Sequence, residues 1–195
     1  KIISHPWEGY SKQKAYAMSL CTGEWVLSID GDEILLPGSI DEIRKKISHT
    51  SCNGFYIKRY EVFMKKAMTK CRGDKMLRLY KKQAAQWDLL RLVHEHIEVA
   101  APIGTLESKM IHYGNDTISK ALGKINSYSS LKAQQKKKRN TALAAIKMLT
   151  SPAIYFLRYY IFRSYHREGM AGFIYSCLQA GYGFLSEAKI IEIKK

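Results

Sequence analysis

Three carboxylates, Asp30, Asp32 and Glu33, crowd the end of an apolar run in residues 25–37, WVLSIDGDEILLP. At such close spacing they repel one another, so a turn, a cap or a cation must compensate. Asp30-Gly31 suits a two-residue hairpin loop, but the following EILLP does not alternate as a returning strand would. A calcium loop needs acids at alternate positions, then a glycine and a distant glutamate, and the segment lacks that spacing. The remaining reading is Asp30-x-Asp32 at a strand end, where two carboxylates one residue apart hold Mg2+ or Mn2+ against a diphosphate. In open α/β sheets ligands bind outside the carboxyl ends of strands, which is where this cluster falls. A three-residue pattern is a weak signal by itself.

Other residues could join such chemistry, each with a plainer alternative. His94 and His96 in VHEHI share one strand face, which suits a metal, but no third ligand at a clear spacing supports zinc. Glu95 between them is either a functional carboxylate or an exposed strand residue. His112 in KMIHY is a candidate metal ligand or diphosphate contact, or else a buried strand-end histidine. Arg78 in MLRLYKK pairs with phosphate or points outward from its strand. Lys12, Gln13 and Lys14 lie on a helix that precedes the carboxylates, facing either a ligand or solvent.

These residues need elements to position them. Residues 11–25 read as a helix with Ser11 as N-cap, ending at Thr22-Gly23. WVLSI reads as a buried strand. Pro37-Gly38 closes the segment, and Ser39 caps a short helix with Ile40, Ile43 and Ile47 on one face. GFYIKRYEVF and MLRLYKK read as strands, and HEHIEV and KMIHY as two more short ones. Residues 115–149 are strongly helical, with Asn115 or Asp116 as cap, until Ser151-Pro152 breaks the helix. Alternating elements followed by helices predict an α/β fold with helices packed on a sheet and a C-terminal basic and aromatic helical appendage. The expected domains are 1–115 and 116–195.

The chain has 195 residues and a formal net charge of +15, and 46% of its residues are hydrophobic, a composition for folding rather than disorder. Residues 118–195 hold 14 Lys/Arg against 3 Asp/Glu, a net +11, so the excess points to an anionic partner for the C-terminal part. AIYFLRYYIFRSYHR is too short and too charged to span a bilayer, where about 20 apolar residues are needed. Its arginines among aromatics suit a helix in the membrane interface, with Lys136-Lys137-Lys138-Arg139 attracted to anionic lipid, or else a face packed on the domain. Tyrosines beside cations would also suit nucleic acid, but no zinc-finger or RNP pattern is present and the carboxylates would repel it, so no nucleic acid is expected. Cys21, Cys52, Cys71 and Cys177 lack metal or disulfide spacing, which fits a reducing, cytoplasmic compartment. The chain opens on Lys1 rather than Met, which suggests a fragment.

WEGYSKQKAYAMSLCTGEWVLSIDGDE (7–33), MLRLYKK (76–82), VHEHI (93–97), MIHY (110–113) and KINSYSSLKA (124–133) together resemble the family 2 glycosyltransferases of GT-A fold, and within them the bacterial lipopolysaccharide-core branch. The resemblance covers about the last three quarters of a typical member, by the absence of one opening βαβ unit; that unit supplies base and ribose contacts in the family. The resemblance implies a mixed sheet flanked by helices, and inverting transfer of a hexose from a nucleotide sugar, a UDP-sugar first among them, to a glycan or glycolipid acceptor. Asp30 and Asp32 would hold Mg2+ or Mn2+, and Glu33 would support them. Glu95 would be the base and Asp88 its runner-up, while Lys12, Gln13, Asp30, Arg78 and His94 would lie on the donor side. The expected location is the cytoplasm, at the inner face of the membrane. The alternatives are a nucleic-acid binder and a non-catalytic remnant.

Overall fold

The computed structural model of the chain describes residues 2–88, 97–136 and 140–194. His94, Glu95, His96 and the cations at 137–139 lie outside the described residues, so the expectations for them stay as the sequence left them. The elements run α1 (Tyr10–Ser19), β1 (Trp25–Leu27), β2 (Glu33–Leu35), α2 (Ser39–Ser48), β3 (Gly54–Phe63), β4 (Lys66–Ala67), β5 (Asp74–Lys81) and β6 (Ala85–Trp87). They continue as β7 (Ile97–Val99), β8 (Ile103–Asn115), α3 (Ile118–Gln135), α4 (Thr141–Leu157) and α5 (Met170–Glu192), with a π-helical turn at Arg158–Phe162. The protein is α/β: a mixed sheet in the order β1-β5-β3-β8-β2, with β4 paired to β3, is flanked by helices. Strands β6 and β7 form a separate antiparallel pair.

Two compact units divide the chain, Lys1–Arg59 with Lys75–Met110 and Tyr60–Asp74 with Ile111–Lys195. The sequence placed a boundary after residue 115. The observed division instead cuts β3 and β8 part-way along, so their distal ends belong with the helices.

In the first unit, alternation along the strands sorts side chains to two faces. Leu79 of β5 joins Ile43, Phe55, Ile57, Leu106 and Met110, with Ile47 of α2 packed alongside. Its neighbour Tyr80 joins Val26, Trp87 and Ile97, against which Ala15 and Met18 of α1 pack. Helices α1 and α2 therefore cover opposite faces, and Arg78 shares the face of Tyr80.

In the second unit, Ala133 of α3, Ala144 of α4 and Ile190 of α5 form one buried cluster. The buried Glu168 carboxylate accepts the backbone N–H groups of Lys70 and Cys71, at 2.5 and 2.8 Å. Arg163 pairs with Asp74 and lies 5.0 Å from the Tyr159 ring centre, while Tyr165 stacks on Tyr175 at 4.9 Å. Burial, and then the Glu168 charge, push the Cys71 thiol up to about 11. Met64 and Lys65 both carry positive φ, 51° and 61°, between β3 and β4, as a two-residue hairpin of matching twist requires.

Several sequence expectations need correcting. Ser11 is not the cap of α1, since it is buried inside the first turn and Gly9 precedes the helix. Gly38, with φ of 82°, takes the capping place expected of Ser39, whose hydroxyl donates to the Leu36 carbonyl at 2.6 Å. Thr117, rather than Asn115 or Asp116, accepts from the Lys120 N–H to start α3. The segment after the carboxylates is a strand after all. It fails to alternate because β2 is only three residues long, and it makes no hairpin because β1 and β2 end the sheet order at opposite sides. The single long helix is two: α3 ends at the lysine run and Asn140 caps α4, its side chain accepting from Ala142 N–H at 2.8 Å. Pro152 lies inside α4 and does not end it.

Candidate functional site

The register of β1 on β5 sets the site. Val26 faces Tyr80 and Leu27 faces Leu79, and the Ser28 N–H extends the ladder by donating to the Arg78 carbonyl at 2.8 Å. The chain then leaves the sheet. The Glu33 N–H closes back on the Asp30 carbonyl at 3.0 Å, which puts Gly31 and Asp32 at the centre of a four-residue turn.

The side chains lock that turn. Glu33 is wholly buried, and its Oε1 accepts from Arg78 Nη2 at 2.5 Å and from Arg59 Nη1 at 3.3 Å. Its Oε2 accepts the Asp30 N–H at 3.1 Å. Asp30 in turn accepts from Arg78 Nη2 at 2.7 Å and pairs with Lys14 Nζ at 2.9 Å. A buried carboxylate is tolerated only when paired and hydrogen-bonded, and two guanidinium groups from neighbouring strands meet that need here. Burial by itself would raise the Asp30 carboxyl. The Lys14 hydrogen bond and the Arg78 and Lys14 charges outweigh it and hold the group below its ordinary 3.8. Asp32 is exposed at the turn.

Asp30 opens onto a cleft of about 730 Å³ in the first unit. Four cations, Lys14, Arg59, Lys75 and Arg78, line it against two carboxylates, Asp30 and Glu98, and Tyr56 and Trp87 add aromatic surface. Lys14 Nζ lies 5.8 Å from the Trp87 ring centre. The Arg78 side chain is only 6% exposed and its Nη2 is engaged by Asp30 and Glu33, so what it brings to the cleft wall is its positive charge. Cations around an aromatic wall suit a phosphate-bearing ligand with a planar group.

The remaining candidates fall elsewhere. Lys12 is exposed and 4.0 Å from Glu8. Gln13 Oε1 lies 3.2 Å from His5 Nδ1. Asp88 is half-buried and directly follows Trp87 of the cleft wall. His112 belongs to the second unit, where its Nδ1 lies 2.8 Å from Glu61 Oε2. Arg59, Lys75 and Trp87 line the cleft without being marked by any motif in the sequence, and on α1 it is Lys14 rather than Lys12 that reaches it. For Lys14 a signal existed: it precedes Met18 by one helical turn, so it shares the face that packs on the sheet. For Arg59 none did, because its role depends on β3 lying beside β5.

No group of three or more metal-binding side chains occurs among the described residues. Mg2+ and Mn2+ favour carboxylate oxygen, and Mg2+ commonly takes one or two carboxylates together with waters and substrate phosphates. The donor types of Asp30 and Asp32 fit such an ion in the company of a diphosphate.

The fold and the cleft define an α/β protein with a cation-lined cleft beside a carboxylate turn at a strand end. No protein-family model matches the chain. The chain is 30% identical, over 98% of its length and 73% of the relative's, to the lipopolysaccharide core biosynthesis glycosyltransferase LpsC of Rhizobium meliloti. It is also 30% identical to uncharacterized glycosyltransferases of Rickettsia typhi, over 99% of this chain and 70% of the relative, and of Rickettsia felis, over 98% and 72%. The chain belongs to the glycosyltransferases, enzymes that transfer glycosyl groups.

Proposed function

We propose that the protein is a family 2 glycosyltransferase of GT-A fold, moving a hexose from a nucleotide sugar to a glycan or glycolipid acceptor with inversion. A UDP-sugar is the expected donor. Synthesis of lipopolysaccharide core or another surface glycan, at the inner face of the cytoplasmic membrane, is the expected setting. The cleft of four cations beside Asp30 supports this reading most directly, and the name of the Rhizobium meliloti relative supports the setting.

In this reaction the acceptor oxygen attacks the anomeric carbon as the bond to the diphosphate breaks. The hydroxyl proton passes to a carboxylate, and the departing diphosphate carries the negative charge. Arg78, Lys14, Arg59 and Lys75 would hold that diphosphate, with Arg78 fixed in place by its bonds to Asp30 and Glu33. Asp30 and Asp32 would hold Mg2+ or Mn2+, which when bound supplies further neutralisation of the leaving group. Glu95 is the proposed base and Asp88, beside Trp87, its runner-up. His94, Lys12 and Gln13 are proposed donor-side contacts. His112 is a candidate ligand whose ring orientation Glu61 sets.

Isothermal titration of UDP with and without Mn2+, repeated on Asp30→Ala/Asp32→Ala, tests the reading. Mn2+ is expected to tighten binding by about tenfold or more, and the double variant to lose that gain. Equal affinity with and without Mn2+ would remove the metal from the proposal, and no UDP binding in either condition would remove the donor.

A further inference from the structure

Helix α4 is apolar on two sides. One side, with Ala144, Ser151 and Tyr155, packs inward: Ser151 and Tyr155 meet α5 at Gly183. At roughly 100° per residue, Ile146, Leu149, Ile154 and Leu157 fall together on the other side. They remain exposed, Leu149 at 76% and Ile146 and Ile154 at 60% each. The exposed surface continues into the π-helical turn with Phe162 at 70%, and Met170 at the start of α5 is likewise 70% exposed. Isolated exposed apolar residues are ordinary, but a sustained ridge of large ones marks a surface that something covers.

Charge indicates what covers it. From Thr117 to Arg167 the chain has no Asp or Glu and 11 Lys/Arg. Lys147 and Arg158 are exposed and fall near one another on the helical wheel, along one flank of the apolar side. Arg167 is exposed just before Met170. A second copy of this surface would bring like charges together, which opposes pairing. Nucleic acid would use the cations but not bare Leu and Ile side chains. An anionic bilayer uses both, taking the apolar side chains below its headgroups and pairing the cations with them. No helix among the described residues is long and apolar enough to cross a membrane, so the arrangement is one for lying in the interface.

We infer that the exposed side of α4, with the π-helical turn and the start of α5, is a docking surface for an anionic lipid membrane. Its biological sense rests on the proposed glycolipid acceptor. The test needs no sugar donor, so it can fail without that proposal failing. The full chain is sedimented with phosphatidylcholine vesicles and with vesicles that also contain phosphatidylglycerol. Binding is expected only to the mixed vesicles and to weaken with added salt. Leu149→Ser/Phe162→Ser should lower it by about tenfold or more, as should Lys147→Glu/Arg158→Glu, with thermal unfolding of both variants unchanged because the residues are exposed. Absence of binding to mixed vesicles would overturn the inference, as would binding that neither variant weakens. So would preference for single-stranded DNA over mixed vesicles, or self-association abolished by Leu149→Ser/Phe162→Ser, which would make the surface an interface between copies.

Discussion

Arg78 Nη2 serves two carboxylates, at 2.7 Å from Asp30 and 2.5 Å from Glu33. Arg78→Met should therefore destabilise the protein through Glu33, whose side chain has no exposure to solvent. The expected loss is about 3 kcal/mol in urea unfolding, the low end for breaking a buried pair because Arg59 still reaches Glu33. Asp30 gives this loss a pH dependence. Its folded pKa lies below its unfolded one, about 3.9. Its contribution is therefore complete above the unfolded value and fades as pH falls through the folded one. The gap between wild type and variant should narrow in acid below about pH 4; a gap that widens there would contradict the assignment. At this scale the sequence displayed the carboxylate turn openly, since three acids after an apolar run are conspicuous. It concealed the counter-charges, because Arg59 and Arg78 come together only through strand pairing.

Helix α5 makes the same substitution carry opposite signs at two glycines. A Cβ on Gly172 would collide with the Tyr165 carbonyl oxygen, while one on Gly181 would meet nothing within 4 Å. Gly172→Ala should cost about 1–3 kcal/mol through forced displacement. Gly181→Ala should gain about 0.5–1 kcal/mol through helix propensity. Melting of the two single variants, read side by side, checks both signs. Element boundaries were legible wherever local chemistry decided them: the strand expected over residues 54–63 is the strand observed. They were lost where packing decided them. Pro152 ought to end a helix, yet α4 runs through it while Ser151 and Tyr155 hold the adjoining turns against α5. Gly9 and Gly38 precede their helices with positive φ, so the serines that read as caps lie one or two residues inside.

Across the whole molecule, β3 and β8 are each shared between the two compact units. Melting either unit alone would require a strand to be ordered along part of its length and disordered along the rest. Calorimetry should therefore show one transition, with calorimetric and van't Hoff enthalpies equal, instead of two. The α/β class and the basic C-terminal helices could be read from composition and periodicity. The way the distal strand ends and residues 68–74 join those helices could not, because Glu168 and Arg163 lie about a hundred positions from the backbone and side chain that they hold.

The Lys14–Asp30 pair at 2.9 Å has a consequence for how any guest enters. The carboxylate beside the cleft already has a resident counter-ion, so a metal ion or a donor that engages it must exchange with an ammonium group rather than fill a vacancy. Observed affinity would then be a difference between two attractions, smaller than either. The displaced lysine belongs to α1, so occupancy at the turn would also loosen one tether of that helix.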